Sequence, residues 1–314
     1  MSKIVERIER QAGVPGLASI LAEQLSATDL QSLLLEVHRR RSARRQPREV
    51  LASYEADRFV RPSSVSPVRL LAWDECAFSH LPSEIEPIAL SPVCPPGTCS
   101  VVAPVNPDWA VITTRNSEVV SDSTNVLALE CALRRRSLLR EDPKSAAVVH
   151  LAASHRLLRA QRYESPEAVS HFSAFALCSA GRDQGNLRFE LSALALHITF
   201  YLRTLGAFLG PDIRLHLTVT DFGPSPAYST LESLLLSPLR SEWPSVDCRV
   251  DEQRTGGRGY YPGLCFHVYA SQPAGERLEL VDGGAVDWTA RLLENAKERL
   301  VISGIGSERL CSRF

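Results

Sequence analysis

Gly304-Ile305-Gly306-Ser307-Glu308-Arg309-Leu310 is the stretch whose reading decides the fold. A strand with glycine at alternate positions offers a flat surface free of side chains. Running straight into Glu-Arg, it sets a guanidinium beside that surface. Glycine admits close approach of a planar ligand, and Arg suits a phosphate. Just upstream, Val281-Asp282-Gly283-Gly284-Ala285-Val286-Asp287-Trp288 reads as a Gly-Gly turn opening an amphipathic helix. The chain reaches Phe314 soon after Arg309, so a helix following that Arg is expected hardly to form.

Composition bounds what can partner this stretch. The chain has 314 residues, 44% of them hydrophobic, enough for a substantial core. Its 35 basic and 36 acidic residues leave no net field that would favour DNA or a membrane surface. The N-terminus is charged and amphipathic, and the apolar run from Ser192 to Leu202 is too short to span a bilayer. A cytoplasmic protein is the expectation. The 8 cysteines include no C-x-x-C pair, so buried free thiols are expected and no metal site.

Working outward, residues 1–56 carry apolar positions at spacings of three and four and read as a helical region. It includes the basic run His38 to Arg45, read as a solvated helix end. Residues 57–314 read as the second unit. Prolines punctuate Arg58 to Val120, where Cys99 to Ala103 and Trp109 to Thr114 look like two antiparallel strands. The polar loop Arg115 to Asn125 hands over to a helix from about Val126 to Arg136, and such a loop at a helix start can cap it or hold a polar ligand. Ala146 to Leu151 and His171 to Cys178 read as strands, with Ser154 to Gln161 as a loop between them. Gly181 to Asn186 is a turn and not a phosphate loop, because it lacks the Lys-Ser/Thr ending. A buried helix over Phe189 to Leu205 is expected to end at Gly206. Asp212 to Thr220 alternates, with Leu215, Leu217 and Val219 on one face and His216, Thr218 and Thr220 on a polar side open to a cleft. A helix over Thr230 to Leu236 and a strand over Leu278 to Val281 complete the order.

Three motifs together resemble the catalytic core of class II aminoacyl-tRNA synthetases, most closely histidyl-tRNA synthetase and its paralogue, the regulatory subunit of ATP phosphoribosyltransferase. Arg258-Gly259-Tyr260-Tyr261-Pro262-Gly263-Leu264-Cys265-Phe266 is similar to that branch's R-G-[LY]-D-Y-Y-T-G-x-x-F-E signature, with His267 where Glu is usual. Gly304 to Leu310 looks like motif 3, and Ser154 to Phe175 looks like motif 2, with Leu158 where an acid is usual. Asp122-Ser123-Thr124 resembles the loop that receives the substrate amino group.

The resemblance implies an α+β fold, a class II synthetase-like antiparallel sheet flanked by helices. It implies catalytic roles for Arg156, Arg258 and Arg309, and substrate contacts from Asp122, Thr124, Tyr260 and Tyr261. It also implies a nucleotide site of Arg156, Phe172 or Phe175, Gly304, Gly306 and Arg309. ATP with Mg²⁺ would be the co-substrates, and a small amino acid or carboxylate the ligand. A homodimer and a protein partner or carrier would follow. No anticodon-binding domain follows the core, so unaided tRNA charging is not expected. A non-catalytic subunit that keeps the amino-acid pocket is the alternative.

Overall fold

The computed structural model describes residues 2–161, 170–273 and 275–314. The chain begins with helices α1 (Lys3–Ala12), α2 (Leu17–Ser19), α3 (Ala27–Ser42) and α4 (Pro47–Ala56). Ser2 and Ser26 cap α1 and α3 by accepting from Ile4 N–H and Asp29 N–H, while Pro47 opens α4 with its fixed φ. Within this arm only Glu9 is buried, and its carboxylate accepts from Gly16 N–H and Ala18 N–H inside the arm itself. α5 (Pro67–Ser79) is the first helix with a core face, through Trp73 and Ala77.

Next come the short strands β1 (Glu86–Pro87), β2 (Val93–Cys94) and β3 (Glu118–Val119), then the helix α6 (Ser123–Glu141). The strands expected at Cys99 to Ala103 and Trp109 to Thr114 do not form. Residues Thr98–Val102 make a wide helical turn and Pro107–Trp109 a 3₁₀ turn. The buried Glu118 carboxylate gathers that turn by accepting from Gly97 N–H and Cys99 N–H, at 3.0 and 2.8 Å. This side-chain contact between distant residues outweighs local β propensity. α6 starts three residues earlier than expected, because Asp122 takes the N-cap and accepts from Thr124 N–H.

The body of the molecule is a mixed sheet of eight strands. After α6 come β4 (Val149–Leu158), β5 (His171–Arg182), α7 (Arg188–Leu209), β6 (Arg214–Asp221), α8 (Tyr228–Leu231), α9 (Ser237–Glu242) and β7 (Asp247–Val250). Then follow β8 (Leu264–Ser271), β9 (Leu278–Val286), α10 (Trp288–Leu292), β10 (Glu298–Gly306) and α11 (Ser307–Arg313). Strand order is β1-β4-β5-β10-β9-β8-β6-β7, antiparallel throughout except for the outer pairs β1–β4 and β6–β7. α7 covers one face over Phe175, Leu177, Phe266, Val281, Val301 and Ile305. α6 covers part of the other over Leu151, Ala153, Ala176, Cys178 and Ile302. α7 is long and apolar enough to cross a membrane, but it is the helix the sheet core is built on.

Four boundaries depart from the sequence reading, each for a tertiary reason. β4 runs on through Leu158, since pairing with β5 carries it past the polar residues. Gly206 lies inside α7, and Gly210, at φ 79°, caps it instead. Gly283 and Gly284 are not a turn; they sit mid-strand in β9, opposite Ser303 and Ile302. α11 does form after β10, held by Trp73 Nε1–H donating to Ser307 Oγ at 3.0 Å. On β6 the expected alternation holds, but its polar side is buried and not open to the cleft: Thr220 Oγ1 donates to Asp251 O at 2.7 Å, and His216 Nε2 meets Ser271 Oγ at 3.1 Å. All eight cysteines are free thiols, as expected.

Candidate functional site

A cleft of about 1120 Å³ opens over the α6 side of β5, β10 and β9. Strand periodicity decides what its floor is made of. Even-numbered residues of β5 and β10 (Ala174, Ala176, Ile302, Gly304, Gly306) face the cleft, and their odd-numbered neighbours face α7. Glycine and alanine stand opposite each other across the two strands, Gly304 against Ala176 and Gly306 against Ala174. The floor is therefore low and flat, as the terminal glycines led one to expect.

At one end stands the first turn of α6. Asp122 Oδ1 accepts from Thr124 N–H and from Thr124 Oγ1–H, at 2.9 and 2.8 Å. Its Oδ2 accepts from Arg159 Nη2 at 3.0 Å, and Arg159 Nε donates to Ser121 O at 2.7 Å. The Arg159 guanidinium also lies 5.1 Å from the centre of the Phe172 ring. Tyr260 and Tyr261 form the adjoining wall, edge to face at 4.9 Å. Burial pushes both phenols well above their ordinary pKa, so they act here as neutral donors.

Behind the tyrosines, Asp282 collects three partners. Tyr261 Oη–H donates to Oδ2 at 3.0 Å, Arg254 Nη2 donates to Oδ1 at 2.9 Å, and His267 Nε2 stands 3.2 Å from Oδ1. Burial works to raise the Asp282 carboxyl, but the His267 hydrogen bond and the charges of His267 and Arg254 outweigh it and hold the pKa low. At the other end α11 contributes Glu308, Arg309 and Arg313 to the lining. Arg309 Nη1 donates to the Glu279 carbonyl at 3.2 Å.

The structure thus gathers Asp122, Thr124, Phe172, Tyr260, Tyr261, Gly304, Gly306 and Arg309 around one cleft. It does not bring Arg156, Phe175 or Arg258 there. Phe175 is an odd-numbered residue of β5, fully buried beneath α7 and stacked on Phe200 at 5.6 Å. Arg156 shares its face of β4 with Ser154, which bonds Asp74 on α5. Arg156 itself pairs with Glu308 at 2.7 Å and meets His171 Nδ1 at 2.9 Å. Arg258 lies over the Phe222 ring at 4.9 Å, outside the cleft lining. Two arginines to which the resemblance gave no role stand at this cleft or its wall. Arg159, three residues beyond Arg156, lines the cleft, and Arg254, four residues before Arg258, is buried against Asp282. The spacing of two between Leu157, which also lines the cleft, and Arg159 is the available signal, once β4 is extended. Nothing in the local sequence marked Arg254. Residues 162–169 of the segment that resembles motif 2 lie outside the described residues.

A largely antiparallel sheet with α7 on one face, a cleft on the other and a glycine strand entering a short Glu-Arg helix is a class II synthetase-like fold. No family model matches the sequence, and no curated protein matches it. Solved structures do. The chain is similar to an ATP phosphoribosyltransferase regulatory subunit/histidyl-tRNA synthetase from Bacillus halodurans, at 11% identity and TM-score 0.59, covering 80% of this chain and 82% of that one. It is similar to S. aureus histidyl-tRNA synthetase at 12% identity and TM-score 0.56, covering 79% and 67%. A histidine–tRNA ligase subunit from Alicyclobacillus acidocaldarius matches at 12% identity and TM-score 0.51, covering 80% and 96%. The expected α+β class II synthetase-like fold is therefore the one observed, and at these identities the likeness speaks for fold alone.

Proposed function

We propose that the cleft binds a small amino acid or related carboxylate and activates it with ATP. One observation carries this reading: a single cleft of about 1120 Å³ joins a polar end, built on Asp122, Thr124 and Tyr260, to a glycine-floored end flanked by Arg309. The first suits the polar groups of an amino acid and the second a nucleotide. In the reaction, the substrate carboxylate oxygen attacks the α-phosphorus of ATP and pyrophosphate leaves. That step needs positioning and positive charge more than acid–base help. Arg159, Arg309 and Arg313 are cleft-lining guanidiniums for that task, and Arg254 keeps Asp282 and Tyr261 fixed as a wall. No group of three or more His, Cys, Asp or Glu among the described residues could hold a metal ion on its own. Mg²⁺ would arrive on the nucleotide phosphates, and Glu279 and Glu308 are the lining carboxylates at the Arg309 end, the usual division of ligands for this ion.

A second reading has its own observation. Arg156 is tied to Glu308 and His171 instead of facing the cleft, which favours a binding subunit that keeps the amino-acid pocket without the chemistry. ATP–pyrophosphate exchange screened over the amino acids separates the two. Exchange with at least one substrate, reduced about 100-fold or more in Arg309→Ala, is expected if that cation stabilises the transition state. Amino-acid binding by calorimetry without any exchange would replace the enzyme with the binding subunit.

A further inference from the structure

We propose that the first turn of α6 holds the oxygen-bearing end of the substrate's side chain, so that the cleft selects an amino acid whose side chain ends in a carbonyl or carboxylate. The inference rests on the reading of the cleft as an amino-acid site and adds the substrate class. Ser123 and Asn125 both line the cleft and are each 1% exposed. Neither Ser123 Oγ nor Asn125 Nδ2 has a hydrogen-bond partner. Buried donors left without acceptors are costly and uncommon in folded proteins.

The balance of donors and acceptors around them gives the ligand its sign. Asp122 is the nearest acid, and its oxygens already take Thr124 and Arg159. What is short in this corner is acceptors. Asn125 Nδ2 can only donate, and α6, at 19 residues, presents the positive end of its dipole there. An uncharged or anionic oxygen satisfies both residues; an ammonium group would satisfy neither Nδ2 nor the dipole. Ala176 and Ile302 on the neighbouring floor are apolar and suit the stem of such a side chain.

The test is titration calorimetry on the full chain with aspartate, asparagine and leucine, and with glutamate, glutamine and methionine, each set being close in shape. At least one oxygen-ended amino acid is expected to bind about tenfold or more tightly than its apolar counterpart. The acid and amide arms tell carboxylate from carboxamide. In Ser123→Ala and Asn125→Leu that ratio should fall towards one while the melting temperature holds or rises, because the unliganded protein loses no partner of either unpaired atom. Equal binding of leucine or methionine would overturn the inference and leave the proposed function standing. No amino-acid binding at all would overturn the cleft reading, and the inference with it. Variants that melt lower with the ratio unchanged would assign these residues to the fold and also overturn it.

Discussion

His197 shows how one residue ties the sheet to its helix. It projects from α7 into the sheet, fully buried, with Ser179 Oγ at 2.8 Å from Nε2 and Ser303 Oγ at 2.8 Å from Nδ1. In the neutral imidazole one ring nitrogen accepts and the other donates, and the two serine hydroxyls can serve both. Burial, reinforced by His150, lowers its pKa from 6.5 to about 3. The unfolded chain therefore takes up a proton near pH 6.5 that the folded chain refuses. The resulting stability is full above that pH and is lost as pH falls towards 3, by up to about 1.4 kcal/mol per pH unit. Denaturant melts between pH 7 and 4 should show His197→Gln less stable at pH 7 yet flatter across this window than the wild type. Parallel slopes would remove His197 from the account. The same scale explains the misplaced arginines. A strand's side chains alternate, so ending β4 at Leu151 left the direction of Arg156 undetermined, whereas pairing to Leu158 sends it to Glu308 on α11. Phe172 and Phe175 part company for the same reason.

β9 is the element in which the glycines matter most. A methyl group at Gly284 would meet the Leu264 carbonyl oxygen at 2.6 Å and Tyr261 Cδ1 at 2.7 Å, and one at Gly283 would meet Phe266 and Ser303 at 2.6 Å. The strand must lie this close for Asp282, beside Gly283, to receive Tyr261 and Arg254. Gly284→Ala should cost about 1–3 kcal/mol by overpacking. Gly206, exposed in α7 with nothing within 4 Å of its missing methyl, provides the contrast. Gly206→Ala should gain about 0.5–1 kcal/mol through lower chain entropy. Urea unfolding of the two variants reads both signs, and a destabilised Gly206→Ala would contradict the helical assignment of that position. The Gly-Gly pair read as a turn from local sequence because turn and close packing demand the same residue; only the neighbouring strand distinguishes them.

At the scale of the whole molecule, residues 2–56 bury only Glu9 and leave Ile4, Leu33, Val50 and Leu51 exposed. Just beyond them, Arg58 Nη2 donates to Ala160 O and its Nη1 to Ser170 Oγ, both at 2.7 Å, beside the ends of β4 and β5. Removing the first 56 residues while keeping Arg58 should leave the near-ultraviolet dichroism of the core unchanged and shift the melting temperature by less than about 2 °C, the size of a 1 kcal/mol effect in a chain of this length. A larger fall would show that the arm supports the core. The sequence by itself determined the fold class, through the stretches at Ser154 to Phe175, Arg258 to Phe266 and Gly304 to Leu310 that resemble class II synthetase motifs. It also placed Asp122, Thr124, Tyr260, Tyr261 and Arg309 at one cleft. Which arginines accompany them was decided only by tertiary structure. Strand ends and register, which set the direction of a long charged side chain, come from pairing between distant segments, and no local pattern in the chain records them.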